Sequence, residues 1–265
     1  KKLETLEVVI GIPDDGTDFI KDIDIKGPSE GGTYIENINN VLKANDKIIA
    51  DLLSGDYTIN EISFSAYEVN AMYRPDYNTI ILPAGILREP IYSSEDSYEE
   101  TYGKIGYIIG HEMSHAFDTN GAKYDENGNY KNWWTKVDYA NFSKLSKKVE
   151  EYYDGAEAAT GLTVNGKLTL DENIADMVGV EAALDALKTK VEKPDYEKFF
   201  ESFAYISRYT TTRDTLKYDL EEDVHSPCYI RVNYSVKNTD EFQETYNVEE
   251  QDGMYVSPSD RIEIW

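Results

Sequence analysis

The chain has 265 residues, 40% of them hydrophobic, which is enough for one large domain with a substantial core. Its 51 acidic side chains against 26 basic ones argue against nucleic acid as a partner, because phosphate binding needs a basic patch, and point to a solvated acidic surface. No apolar run is long enough for a membrane span, no signal peptide is visible after Lys1, and a single cysteine leaves no internal disulfide.

In chain order, residues 1–60 read as a strand, a loop and a helix. Leu6-Glu7-Val8-Val9-Ile10-Gly11-Ile12 is strand-like, an acidic turn-rich loop follows, and Ile35, Ile38, Leu42, Ile49 and Leu52 recur at helical spacing. Residues 61–82 alternate as strands through Ile62, Phe64, Val69, Ala71, Tyr73, Ile80 and Leu82, with Arg74-Pro75-Asp76 as a turn. From residue 98 onward the pattern is mostly helical, over 98–118, 137–153, 171–190 and 194–210. Asp125-Glu126-Asn127-Gly128-Asn129 is a polar turn that lacks the full pattern and closing glutamate of a calcium loop. The stretch Tyr229-Ile230-Arg231-Val232-Asn233-Tyr234-Ser235-Val236 reads as β.

Two of the three histidines fall in His111-Glu112-Met113-Ser114-His115. On a helix this spacing puts both imidazoles on one face, one turn apart, where they can grip a single zinc ion. Glu112 is turned about 100° from His111 and can stand beside the metal as a general base for water. Ile105, Ile108, Ile109, Ala116 and Phe117 support a buried helix here.

A catalytic zinc usually takes three protein ligands. Gly121 occupies the place where a metzincin would carry its third histidine, and no glutamate falls near residues 133–138. Further on, Glu172 and Asp176 lie one turn apart at the start of a second helical pattern. Glu172 would complete the zinc shell, and Asp176 could accept the outer N–H of a zinc histidine and fix its tautomer. Thr169-x-x-Glu172 also reads as a capping box, which would give the glutamate a purely structural task. Asp118, three residues past His115, is within reach of that ring on a helix.

Seven runs carry a family resemblance. They are Val69-Asn70-Ala71-Met72-Tyr73, Leu82-Pro83-Ala84-Gly85-Ile86-Leu87, Ile109 to Asp118, Asn132-Trp133-Trp134, Glu172-Asn173-Ile174-Ala175-Asp176, Asp223-Val224-His225-Ser226-Pro227 and Arg231-Val232-Asn233, with Trp265 at the chain end. In this order they resemble the C-terminal catalytic region of the neprilysin family of zinc endopeptidases, the M13 group. The resemblance implies an α+β, thermolysin-like gluzincin domain spanning residues 1–265, with a small mixed β-sheet edge over a mainly helical body. Residues 61–265 would hold the substrate-edge strands, the zinc site and the C-terminal helices. It also implies one zinc ion on His111, His115 and Glu172, Glu112 as the base, and Asp176 and Asp118 as carboxylates behind the zinc histidines. His225 would stabilise the oxyanion, Arg231 would hold a substrate carbonyl, and Asn70 and Ala71 would bind substrate main chain along a strand edge. Ile86, Ile91, Tyr107 and Ile108 would line the pocket for an apolar or aromatic residue after the cut.

Three positions depart from the family pattern: Asp171, Cys228 and Tyr234 stand where glycines are usual. Asp171 adds a charge beside a ligand, and the other two would narrow the groove near Arg231. Family members are much longer, and the helical lobe that roofs their active site is not matched by this chain. The expected activity is therefore endopeptidase cleavage of oligopeptides, with a rival reading as a weak metal- and peptide-binding fragment that needs that lobe. With one cysteine the chain resembles a bacterial member, secreted or at the cell surface, although the cytoplasm also fits.

Overall fold

The computed structural model describes residues 1–12, 23–54 and 64–264, and within these not the side chains of Ile48 and Leu52. Ile62 and Trp265, both used above, lie outside the described residues. Strands β1 (Glu7–Gly11), β2 (Met72–Arg74) and β3 (Thr79–Pro83) form a mixed sheet in the order β1-β3-β2. β3 runs parallel to β1 and antiparallel to β2, so β2 is an edge. All five residues of β3 are buried, which suits its unbroken apolar run.

Among the described residues, the strand pattern expected over 61–82 is realised only from Met72 onward, in β2 and β3. Residues 65–68 instead close a turn, with Glu68 N–H donating to the Ser65 carbonyl, and Gly85 N–H donates to the Ala66 carbonyl. The carbonyls of Tyr67 and Glu68 press on Gly85 so closely that a Cβ there would meet them at 2.4 and 2.3 Å. That contact takes the segment out of the sheet.

Helix α1 (Tyr34–Ser54) forms as its periodicity predicts, yet none of its described side chains is buried. The single helix expected over 98–118 is three pieces: α2 (Tyr98–Thr101), a π turn (Tyr102–Gly106) and α3 (Tyr107–Ser114), with His115 as the C-cap. α4 (Lys136–Tyr153) is followed by a small hairpin of β4 (Glu157–Ala159) and β5 (Leu162–Thr163) and then by α5 (Leu170–Lys188). α6 (Tyr196–Ile206), α7 (Arg213–Glu222), α8 (Cys228–Val236) and α9 (Asp240–Thr245) complete the body. No described helix is long and apolar enough to cross a membrane.

α5 is the axis of the core. Ile174 and Met177 pack with Phe142, Val149, Tyr153 and Ile230 on one side. Val180, Ala183, Leu184 and Leu187 pack with Phe199, Phe200 and Phe203 on the other. Each such burial contributes about 1.5–3 kcal/mol, so α5 is anchored far more firmly than α1.

The β reading of residues 229–236 is wrong: they are helix α8. Ile230 and Tyr234, one turn apart, join the α4 cluster, while Val232 and Val236 join the α6 cluster. Two helical stripes interleaved on opposite sides look like strict alternation along the chain. α7 passed unread because none of its residues is buried; its local sign is the Thr212 hydroxyl, which caps Thr215 N–H.

Candidate metal centre

α3 and α5 cross at two glycines. A Cβ on Gly110 would meet the Gly179 carbonyl at 2.9 Å, and one on Gly179 would meet the His111 nitrogen at 2.9 Å. Backbone touches backbone there, and the first turn of α5 is drawn against the end of α3. His111 and His115 from α3 then face Glu172 from α5. His111 Nε2 lies 3.2 Å from His115 Nε2 and 3.2 Å from Glu172 Oε2, and His115 Nε2 lies 3.6 Å from the same oxygen. Metal–ligand bonds of about 2.0–2.1 Å at tetrahedral angles put neighbouring ligand atoms about 3.3 Å apart. The triangle therefore fits one zinc ion. Glu172 Oε2 is buried with no hydrogen bond of good geometry, which is the state expected of a donor atom kept for a metal. Among the described residues this is the one group of three such side chains whose donor atoms lie within 4.8 Å of one another.

The capping box at Thr169 is not formed. Thr169 is the N-cap of α5 but makes no side-chain cap bond; its hydroxyl donates to the Asn165 carbonyl and accepts from Asn173 Nδ2. Glu172 is thereby free to turn toward the histidines.

Carboxylates stand behind both rings. Asp118 Oδ2 is 2.7 Å from His115 Nδ1, and Asp176 Oδ1 is 2.9 Å from His111 Nδ1, close in distance though off the N–H line. Asp176 is wholly buried and is met by the fork of Arg231, Nε at 2.7 Å from Oδ2 and Nη2 at 2.6 Å from Oδ1. Tyr107 also donates to Asp176 Oδ1, at 2.5 Å. Burial alone would raise the Asp176 pKa, but the Arg231 charge and its hydrogen bonds hold the carboxyl below the usual range. For Glu172, burial is likewise overridden by the three histidines. Glu112 behaves the other way: burial outweighs the histidine charges and raises it, keeping a proton acceptor nearer neutrality.

Two cavities meet at this cluster. One, of about 410 Å³, runs past Met72, Tyr73, Asn120, Leu168 and Asp171. The other, of about 260 Å³, is lined by Ile86, Ile91, Tyr107, Ile108, Cys228 and Arg231. Asn70, Ala71, His111, Glu112 and His225 line both. The cleft thus continues on each side of the metal ligands, beside edge strand β2 in the first cavity and beside residues 69–71 that lead into it in the second.

The structure brings together every site residue read from the sequence. His225 sits on the loop between α7 and α8, with Nε2 3.1 Å from Glu172 Oε2 and Nδ1 2.8 Å from Asp223. Its loop is tied down by Ser226, whose hydroxyl donates to Asn173 Oδ1 at 2.7 Å. Tyr234 does not narrow the groove; it packs against Tyr152 and Tyr153 in the core. Sequence reading missed Ile206 and Ser207 in the second cavity and Val224 and Leu168 in the first. It also missed the Asn173–Ser226 bond, although both residues lie in matched runs. The turn at Asp125 is structural: its carboxylate accepts from Asn127 and Asn129 N–H.

Fold and site together make a helical body with a sheet edge laid beside an H-E-x-x-H helix and a distant glutamate, a donor set that fits one zinc ion. Residues 70–262 match the model of peptidase family M13, and the chain belongs to that family. It is 38% identical over 268 aligned residues to a neutral endopeptidase of Lactococcus lactis, covering all of this chain and 41% of that protein. A crystal structure of PEPO from Lactobacillus rhamnosis superposes with a TM-score of 0.84 at 35% identity, over all of this chain and 41% of that one. An inhibitor complex of a Mycobacterium tuberculosis zinc metalloprotease gives 0.84 at 30% identity, over all of this chain and 42% of that one. The chain thus spans about 41% of the length of these relatives.

Proposed function

We propose that this chain is the catalytic portion of a zinc endopeptidase that cuts oligopeptides before an apolar or aromatic residue. The observation that carries the reading is the cleft: cavities extend on both sides of the ligand cluster, so a peptide can lie across it with chain to spare in each direction. His111, His115 and Glu172 are the zinc ligands. Bound zinc lowers the pKa of a water and polarises a carbonyl. Glu112, buried and raised in pKa, takes the proton from the attacking water and passes it to the leaving amine. Asp118 and Asp176 hold the outer ring nitrogens of the histidines. His225 donates to the developing oxyanion. The substrate lies along β2 as an added strand, held by the Asn70 side chain and the Ala71 carbonyl. Arg231 spends one edge of its guanidinium on Asp176, and among the described residues its Nη1 makes no hydrogen bond, which leaves that nitrogen for a substrate carbonyl. The side chain after the cut enters the cavity of Ile86, Ile91, Tyr107 and Ile108.

A second reading is supported by the 41% coverage of the relatives: the chain binds metal and peptide but cuts feebly without the remainder of a longer protein. Cleavage of a quenched-peptide mixture by the zinc-loaded chain, beside its Glu112→Gln variant, separates the two. Cutting by the parent, lost by at least about a hundredfold in the variant, supports the first reading. A folded, zinc-bound parent that does not cut supports the second.

A further inference from the structure

The loop that follows the zinc helix, residues 118–124, carries Asp118 and is gripped from two sides by residues outside every role assigned above. Within the loop, Asp118 Oδ1 accepts from Asn120 and Gly121 N–H at 2.8 and 2.6 Å, while Oδ2 meets His115. The loop's path therefore sets where the carboxylate meets the imidazole. It is also pressed onto the motif itself, since a Cβ on Gly121 would meet the His115 carbonyl at 1.9 Å.

Lys2 grips one side. Its side chain is 5% exposed, and Nζ donates to the carbonyls of Gly121 at 2.8 Å and Tyr124 at 2.9 Å. Its ammonium lies 5.8 and 5.9 Å from the ring centroids of Tyr73 and Trp133. Asp171 grips the other side, accepting from Thr119 N–H at 3.1 Å and from the Thr119 hydroxyl at 2.9 Å. Asp171 immediately precedes Glu172, so this pair of bonds joins the loop behind one ligand to the helix that carries another. The family pattern has glycine at that position, which offers no such link.

We propose that Lys2 and Asp171 are positioning residues that clamp the 118–124 loop and so hold Asp118, and through it His115, in the orientation that binds zinc. The proposal rests on His111, His115 and Glu172 being the ligands. A carboxylate near a cation also helps by charge alone, so the test must separate link from charge.

Zinc dissociation constants, measured by competition with a chromophoric chelator on the whole chain, make that separation. Asp171→Gly and Lys2→Met should each weaken binding about tenfold, the lower end for partners of zinc ligands. Thr119→Val should weaken it severalfold and Thr119→Ser should restore it. Adding Thr119→Val to Asp171→Gly should cost nothing more. Parental affinity in Thr119→Val, or effects of Thr119→Val and Asp171→Gly that simply add, would overturn the clamp and leave Asp171 a charge effect. Parental affinity in a folded Lys2→Met would strike Lys2 from the clamp. Should Asp171→Gly fail to fold, the Thr119→Val and Thr119→Ser pair decides for that side alone; should Lys2→Met fail to fold, Lys2→Gln takes its place with the same two outcomes. His115→Ala is the control on the premise: retained zinc affinity there sinks the ligand assignment, whereas its loss beside an unaffected Thr119→Val sinks only the clamp.

Discussion

His115 is largely shielded from solvent, which disfavours its charge, but hydrogen bonds and attraction to Asp118 and Glu172 prevail and push its pKa up to about 11 in the metal-free protein. A raised base stabilises the fold fully below its ordinary value of 6.5, and that contribution is lost as the pH climbs through about 11. At neutral pH zinc must therefore displace a proton. Apparent zinc affinity is expected to rise about tenfold per pH unit between pH 6 and 8, with about one proton released in calorimetry across buffers of different ionisation enthalpy. A flat profile would contradict this. Asp176 carries the opposite sign. Its depressed pKa contributes stability above the ordinary value of 3.8, and that contribution is lost as the pH falls through the folded one. Asp176→Asn leaves Arg231 without its partner and should cost about 3–5 kcal/mol in urea unfolding at pH 7, the gap to the parent narrowing in acid. His111, Glu112, His115, Glu172 and Asp176 were all legible in the sequence, because helical spacing of chemically distinctive residues survives without coordinates. Lys2 and Thr119 were not, since a side chain reaching a carbonyl across most of the chain leaves no local periodicity.

At the scale of elements, the metal site depends on how closely two helices approach. Gly110→Ala or Gly179→Ala would wedge a methyl group between α3 and α5. Either should lower stability by about 1–3 kcal/mol and weaken zinc binding by parting the ligands. Differential scanning calorimetry of the metal-free variants reads the first effect and chelator competition the second. A variant with parental melting and parental affinity would show that the crossing can give. α4 and α6 were legible because each buries one face against a single core cluster. α8 was misread for a related reason: it buries two faces, and Ile230, Val232, Tyr234 and Val236 serve both clusters in turn. Periodicity reports how many neighbours an element has as much as what the element is.

Over the whole molecule, apolar surface is distributed unevenly. Ile35 is 72% and Leu53 85% exposed on α1, and Ile10 and Ile12 are exposed at and just beyond β1. An amphipathic helix with its stripe in water is unusual for a monomer. The isolated chain is expected to bind an environment-sensitive apolar dye, and Ile35→Lys with Leu42→Lys should remove much of the signal. Unchanged dye fluorescence in that double variant would place the binding surface elsewhere. The edge strand has a consequence of another kind for the proposed activity. A substrate can lie along β2 only by offering bare main chain, which a segment already folded into its own helix or sheet has committed to internal bonds. A discriminating step therefore precedes any reading of side chains: the target must first melt locally. A segment that opens about a thousandth of the time would be cut about a thousandfold more slowly than a loose peptide of the same sequence. Such an enzyme takes its timing from the dynamics of its targets, and ligands or partners that stiffen a target protect it without ever touching the protease.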